Sequence, residues 1–101
     1  MHGTSRLFLV TRRYGPPYDP AKPLEAQPDW QDHRDFINRM DAEGLVRLAG
    51  PLGETGQVLL VVRATDQPQI EQCLAADPWT QSGLLTTTSI VEWHLRHGEV
   101  R

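Results

Sequence analysis

Two short runs of apolar residues dominate the hydropathy pattern of this chain. Segments 7–11 (LFLVT) and 58–62 (VLLVV) are rich in β-branched and aromatic side chains and are largely apolar at both odd and even positions. Such runs are typical of strands that are covered on both faces. We therefore predict that they are the central strands of a sheet.

Two other segments repeat apolar residues at spacings of three and four, which is the period of an amphipathic helix. The first covers residues 30–43, and Asp29 and Asp32 resemble an acidic capping box at its start. The second begins where Asp66 and Gln69 resemble a capping box, and it ends at Pro78, because proline cannot continue a helix. We predict one helix after each central strand.

Weaker strand patterns cover residues 45–49 and 84–96, and residues 79–83 are expected to lead directly into the second of these strands. Strict alternation in the second would put these side chains on one face: Leu85, Thr87, Ser89, Val91, Trp93 and Leu95. The opposite face would mix apolar, hydroxyl and charged groups. Such a mixture predicts a wall that faces a polar cavity or water.

The order strand, helix, strand, strand, helix, strand predicts an α+β fold. With right-handed crossovers it gives a ferredoxin-like βαββαβ sandwich, in which a four-stranded antiparallel sheet carries both helices on one face. The other face of the central strands would then expose a larger apolar patch than monomers usually show. We expect two copies to pack sheet to sheet in a homodimer, as a dimeric α+β barrel.

The composition excludes several classes of partner. The 101 residues suit a single domain over 1–101, and the formal net charge of −3 offers no basic surface for nucleic acid. An RNA-recognition domain shares the element order but needs aromatic residues on its third strand, where this chain has VLLVV. No apolar run reaches membrane-spanning length or resembles a signal peptide, so we expect a cytoplasmic protein with no membrane partner.

Residues 15–28 hold five prolines and separate the first strand from the first helix. Proline at this density is incompatible with a helix or an inner strand. The segment is either a lid that carries Tyr18 and Asp19 over a pocket or a rigid connector that loses little entropy on folding.

His33 and Asp77 are the residues with the clearest potential for chemistry. His33 falls on the apolar side of the first helix, where burial and the helix dipole favour the neutral imidazole that can act as a base. The alternative is a core histidine bonded to backbone. Asp77 precedes Pro78 and is expected at or just past the C-terminal end of the second helix, where the dipole disfavours a carboxylate. It therefore needs a partner, unless it only forms a helix-ending turn.

Several short motifs occur in a distinctive order: Arg13-Tyr14-Gly15, then His33, then Gly50-Pro51, then Ala76-Asp77-Pro78-Trp79 with Gly83. In this order and spacing the chain resembles the YciI-like, or YCII-related, family. The resemblance implies a ferredoxin-like fold that dimerises as an α+β barrel. It also implies an active site built from a histidine and an aspartate, at positions that match His33 and Asp77.

The resemblance also implies an activity. Members are associated with lyase or dehydrochlorinase-like chemistry on hydroxylated ring compounds, without a metal or organic cofactor, and some are linked to transcriptional regulation. The proline-rich loop departs from the family pattern, so substrate specificity does not transfer. On this basis we expect His33 to be a general base, and Asp77 to fix its tautomer and stabilise the imidazolium.

The remaining candidates would contact a small-molecule ligand. Arg13, Tyr14 and Tyr18 could bind a developing oxyanion, although Arg12 and Arg13 could equally be a solvated strand end. Three further positions are candidates for the pocket: Gly50, Pro51 and Trp79. The Gly-Pro pair could instead be turn chemistry alone, and the tryptophan could fill the barrel mouth or the dimer seam.

We predict neither a metal site nor an organic cofactor. His94 and His97 lie three residues apart and would point to opposite faces of a strand. Two function classes stay open: an enzyme that uses His33 and Asp77 for proton abstraction or elimination, and a non-catalytic binding or transcription-associated module with the same pocket.

Overall fold

A computed structural model of the chain describes residues 5–100, so residues 1–4 and 101 of the predicted domain lie outside the described part. The strands are β1 Arg6–Tyr14, β2 Val46–Pro51, β3 Gln57–Ala64 and β4 Leu85–Glu92. The helices are α1 Trp30–Ala42, α2 Gln67–Leu74 and α3 Pro78–Ser82, with one 3-10 turn at Leu24–Ala26. The predicted element order is confirmed, and α3 is added to it.

The four strands form one antiparallel sheet in the order β2-β3-β1-β4. The two apolar runs are its central strands, as predicted. Helices α1 and α2 both cover one face, where Phe36 and Ile70 pack against Val10 and Leu60. The structure thus has the predicted α+β, ferredoxin-like architecture, and its second sheet face lies away from the helices.

The start of α1 differs from the prediction. Asp29 precedes the helix, but its side chain makes no capping hydrogen bond, and its backbone is left-handed with φ 58°. The predicted capping box at Asp29 and Asp32 is therefore wrong. Helix α2 does begin with a cap, because the Asp66 carboxylate accepts a hydrogen bond from the backbone N–H of Gln69.

Two corrections concern the end of the chain. The segment after Pro78 was expected to lead straight into the last strand, but it forms α3. Strand β4 also contains a bulge: Thr11 lies opposite Ser89 and Arg12 opposite Thr87, so Thr88 is an extra residue. The predicted single face of alternating residues is therefore wrong, because the alternation reverses at the bulge. His94 and His97 follow β4 rather than lying on it.

The proline-rich segment is bound to the last strand region at its start and is held by internal hydrogen bonds near its end. Gly15 donates a backbone hydrogen bond to Leu84 O at 2.8 Å, and a Cβ at this position would overlap the carbonyl oxygen of Gly83. At the other end, buried Gln27 exchanges two hydrogen bonds with the backbone of Asp19, at 2.7 and 3.0 Å. These contacts suit a rigid connector.

None of the helices within residues 5–100 is long and apolar enough to cross a membrane.

Candidate active site

A pocket of about 220 Å³ lies between α1 and the helix-covered face of the sheet. Most of its wall is apolar: Leu24, Trp30, Ile37, Ala49, Pro51, Val58, Leu60, Trp79 and Leu85. Polar groups come from Arg12, Tyr14, His33, Arg34 and Asn38. Such a lining suits a compact ligand that is apolar over most of its surface and is oriented by a few polar groups.

Asp77 is fixed beneath this pocket by the chain reversal between α2 and α3. It is fully buried and is the N-cap of α3, where its Oδ1 accepts a hydrogen bond from Trp79 N at 3.0 Å. The sequence predicted a position at or just past a helix C-terminus; Asp77 does follow the end of α2, but it also begins α3. The carboxylate therefore faces the positive end of the α3 dipole, which stabilises its charge.

His33 and Asp77 are in direct contact, although 44 residues separate them in the sequence. The Nδ1 atom of His33 lies 2.9 Å from Oδ1 and 3.0 Å from Oδ2. An ionised carboxylate can only accept, so Nδ1 carries the proton and donates it to this hydrogen bond. In the neutral imidazole with this tautomer, the other ring nitrogen, Nε2, carries a free lone pair and can act as a base toward a molecule in the pocket.

Arg12 completes the buried network, although it was not among the site residues predicted from the sequence. Its side chain has no solvent exposure; Nη1 donates to Asp77 Oδ2 at 2.9 Å and Nη2 donates to the hydroxyl of Thr80. The Nε atom has no hydrogen-bond partner within the described residues. Strand period could have found this residue, since Arg12 follows Val10 by two positions and must share its face.

The partners of Asp77 decide its protonation state. Burial by itself raises the pKa of the Asp77 carboxyl group, because it removes water from the charged form. The hydrogen bonds from His33 and Arg12 act in the opposite direction and prevail, so that the pKa of Asp77 lies below its usual value. Asp77 is therefore a carboxylate over the whole neutral range.

Trp79 packs against the face of the His33 imidazole. Its ring stacks on that of His33 with centroids 3.9 Å apart and planes 7° apart, and Trp30 lies 5.8 Å from it at a tilt. The indole N–H of Trp79 donates to Pro28 O at 2.6 Å. The stack and the Asp77 hydrogen bond together fix the orientation of the His33 ring.

The sequence of residues 16–94 matches the family model described as the YCII-related domain. The chain belongs to the YCII-related family. No curated protein matches the sequence.

One solved structure with a similar fold is 5-chloro-2-hydroxyhydroquinone dehydrochlorinase from Burkholderia phenoliruptrix AC1100, in complex with 2,5-dihydroxybenzoquinone. The TM-score is 0.60 at 20% sequence identity, and the match covers 91% of this chain and 95% of the dehydrochlorinase. At this identity the similarity supports the ferredoxin-like fold of this YCII-related chain and nothing finer.

Most residues predicted for the YCII-related site do lie at the pocket. Gly50 and Pro51 line its wall, but both are paired strand residues at the end of β2, so the turn expected at this pair is wrong. Tyr14 lines it too, and burial, followed by the nearby Tyr18, raises the pKa of Tyr14. Tyr18 stacks on Tyr14 with centroids 4.0 Å apart and does not itself line the pocket.

Arg13 does not lie at the pocket, and its predicted position there is wrong. It is exposed and follows Arg12 by one residue, so strand alternation turns it to the opposite face of the sheet. The arginine that reaches the His33 and Asp77 pair is Arg12.

Within residues 5–100 no three His, Cys, Asp or Glu side chains are grouped so as to hold a metal ion. The expectations of no cofactor, no nucleic-acid or membrane partner and a cytoplasmic location all stay predictions.

Proposed function

We propose that this YCII-related protein is a small enzyme that uses His33 as general base and Asp77 as its orienting partner. The observation that carries the proposal is the buried contact of 2.9 Å between His33 Nδ1 and Asp77, at the wall of a largely apolar pocket. A histidine that served only the core would not need a fully buried carboxylate with an arginine of its own.

The reaction class is proton abstraction with elimination. Nε2 of His33 takes a proton from an acidic O–H or C–H group of the bound ring, and the released electron pair forms a new double bond as the leaving group departs with its own pair. The imidazolium that results is stabilised by the carboxylate of Asp77. The proton can then pass to the leaving group or to water.

The substrate class is a small cyclic compound with hydroxyl groups. The apolar wall and the volume of about 220 Å³ suit one ring with few substituents. The structural neighbour is a dehydrochlorinase of a chlorinated hydroxyhydroquinone, and it was solved with a dihydroxybenzoquinone. We extend this class of compound to the present protein as part of the proposal.

The test is turnover of a panel of halogenated hydroquinones and phenols, followed by halide release and ultraviolet absorbance. We expect His33→Ala to lower kcat/KM by about 10²–10⁴-fold, which is the usual contribution of a general base. The matched control is His94→Ala, because His94 has a side chain that is 78% exposed and lies outside the pocket. Equal activity of the wild type and His33→Ala would overturn the catalytic role.

The alternative class, a binding or regulatory module, predicts a different result. The wild type would bind ring compounds saturably in the same pocket and release no product from any of them.

We also propose that the protein works as a homodimer joined through the uncovered face of the sheet. Leu48 and Val91 lie on this face, at 59% and 57% exposure, and Leu9 and Val61 lie between them. Val61 is already buried at 4% exposure, and a second copy would bury the exposed ends of this apolar row at Leu48 and Val91. Light scattering should find a dimer for the wild type and a monomer for Leu48→Glu. Leu52→Glu, at a leucine 37% exposed outside the strands, should leave the dimer intact; a monomeric wild type would contradict the proposal.

A further inference from the structure

Charge is distributed unevenly between the protein and its pocket. The whole chain is acidic, with 13 Asp and Glu against 10 Lys and Arg. Fifteen of the described residues line the pocket, and they include Arg12 and Arg34 but no Asp or Glu. A cleft lined by one sign of charge concentrates ligands of the opposite sign. The lining therefore favours an anion.

The two arginines differ in what already balances their charge. Arg12 is fully buried, and its Nη1 lies 2.9 Å from the carboxylate of Asp77, so its charge is compensated inside the protein. Arg34 is exposed on α1, and its side chain has no hydrogen bond or ion pair with any residue in the range 5–100. Arg34 is therefore the arginine whose charge is available to a bound molecule.

Asn38 adds a second donor beside Arg34. It lies four residues further along α1, lines the same pocket and is also exposed, so the two side chains are neighbours at its mouth. A guanidinium and a primary amide both present N–H groups, which suit the oxygens of a carboxylate or a phenolate. The apolar wall beneath them, including Val58 and Leu60, suits the ring that carries the anion.

We propose that the pocket binds a small ring compound with an anionic group, held at the mouth by Arg34 and Asn38 while the ring lies against the apolar wall. This inference rests on the proposed function, because it takes the same pocket as the substrate site. It narrows the substrate class from hydroxylated rings in general to rings that are ionised at neutral pH. Arg34 then decides which end of the ring lies nearest to His33.

Benzoate and benzamide are the probes, because they share a ring and a planar head group and differ in charge. Each is titrated into ¹⁵N-labelled wild type, Arg34→Gln and Arg39→Gln, and dissociation constants are taken from the NMR shifts. Arg39 is the matched control: it is exposed on the same helix, lies 5.7 Å from the Phe36 ring and does not line the pocket. We expect the wild type and Arg39→Gln to prefer benzoate by at least about tenfold, and Arg34→Gln to lose this preference.

The inference is overturned if the wild type binds the two probes equally, if the preference survives in Arg34→Gln, or if benzoate at millimolar concentration does not bind the wild type. Added salt should weaken the preference, since the charge of Arg34 is exposed. The titration does not depend on catalysis. Arg34-dependent binding in a protein without His33-dependent turnover would support the anion site and overturn only the proposed reaction. Turnover of neutral rings without any preference for benzoate would support the proposed reaction and overturn the anion site.

Discussion

The two faces of the sheet carry similar apolar side chains but have different surroundings. On the helix-covered face Val10 lies opposite Leu60, and these side chains are 0% and 1% exposed. On the other face Leu9 lies between Val61 and Val91, and Val91 is 57% exposed at the edge strand. The apolar pattern therefore shows that a face needs a cover and does not say whether the cover comes from the same chain.

Arg12 and Arg13 extend this comparison to charged residues. They are adjacent in sequence, yet Arg12 is fully buried against Asp77 and Arg13 is exposed on the other face. A step of one residue along a strand thus separates an arginine that supports the candidate catalytic pair from one that meets solvent. The face on which a side chain lies matters more here than its residue type.

Removal of the Asp77 carboxylate should have the largest effect on the covered face. Asp77→Ala leaves Arg12 buried without a counter-charge, so we expect the free energy of unfolding to fall by about 3–5 kcal/mol. Urea denaturation measures it. Asp66→Ala is the matched control, because Asp66 also caps a helix through a hydrogen bond of 3.0 Å but is exposed. Asp66→Ala should lower the free energy of unfolding by about 1 kcal/mol. Equal losses in the two variants would show that Asp77 acts only as a cap.

A leucine from each face tests the difference in cover. Leu60→Ala should lower the free energy of unfolding by about 2–5 kcal/mol at every protein concentration, because Leu60 is 1% exposed in the core. Leu48→Ala should lower the free energy of unfolding of the monomer by less than about 0.5 kcal/mol. It should also abolish any increase of stability with protein concentration. A large, concentration-independent loss in Leu48→Ala would mean that the chain itself covers this face.

The two arginines test the same contrast with charge retained. Lysine cannot reproduce the planar guanidinium that reaches Asp77 and Thr80 together, so Arg12→Lys should lower the free energy of unfolding by about 1.5–3 kcal/mol. Arg13→Lys should change it by less than about 0.5 kcal/mol. Similar losses in the two variants would contradict the buried network.

The general architecture was predictable because it depends on periodic patterns. The two apolar runs, the 3.6-residue period of the helices and the element order suffice for the sheet and its covered face. The cap at Asp66 was readable too, since it depends on a spacing of three residues. The role of Asp29 was not predictable, because aspartate suits both an N-cap and the left-handed backbone that it adopts here.

The site was harder to predict, because it depends on contacts between distant residues. His33 and Asp77 lie 44 residues apart, and no local sequence pattern links them. Only the family resemblance suggested the pair. Arg12 was missed because an arginine at a strand end is usually solvated, and the carboxylate that keeps it buried lies 65 residues away. The bulge at Thr88 leaves no periodic signal, so β4 was assigned a single continuous alternation.

Acid should produce the smallest effect, and it tests the charge of Asp77 without removing the side chain. The pKa of Asp77 is lower in the folded protein than its usual value of about 3.9, so its contribution to stability is complete above about pH 4 and is lost as the pH falls through the folded pKa. A protonated carboxyl group keeps an oxygen that can accept from Arg12, which makes this loss smaller than that in Asp77→Ala.

Urea unfolding from neutral pH down to about pH 2 should therefore show a steeper acid decline in the wild type than in Asp77→Asn, which cannot titrate at this position. Asp66→Asn serves as the control, since it removes an exposed carboxylate from an equivalent cap and should keep most of the decline. If the wild type and Asp77→Asn lose stability in parallel, the ionised carboxylate is not what holds Arg12 and His33 together, and the covered face would differ from the open one only in its apolar packing.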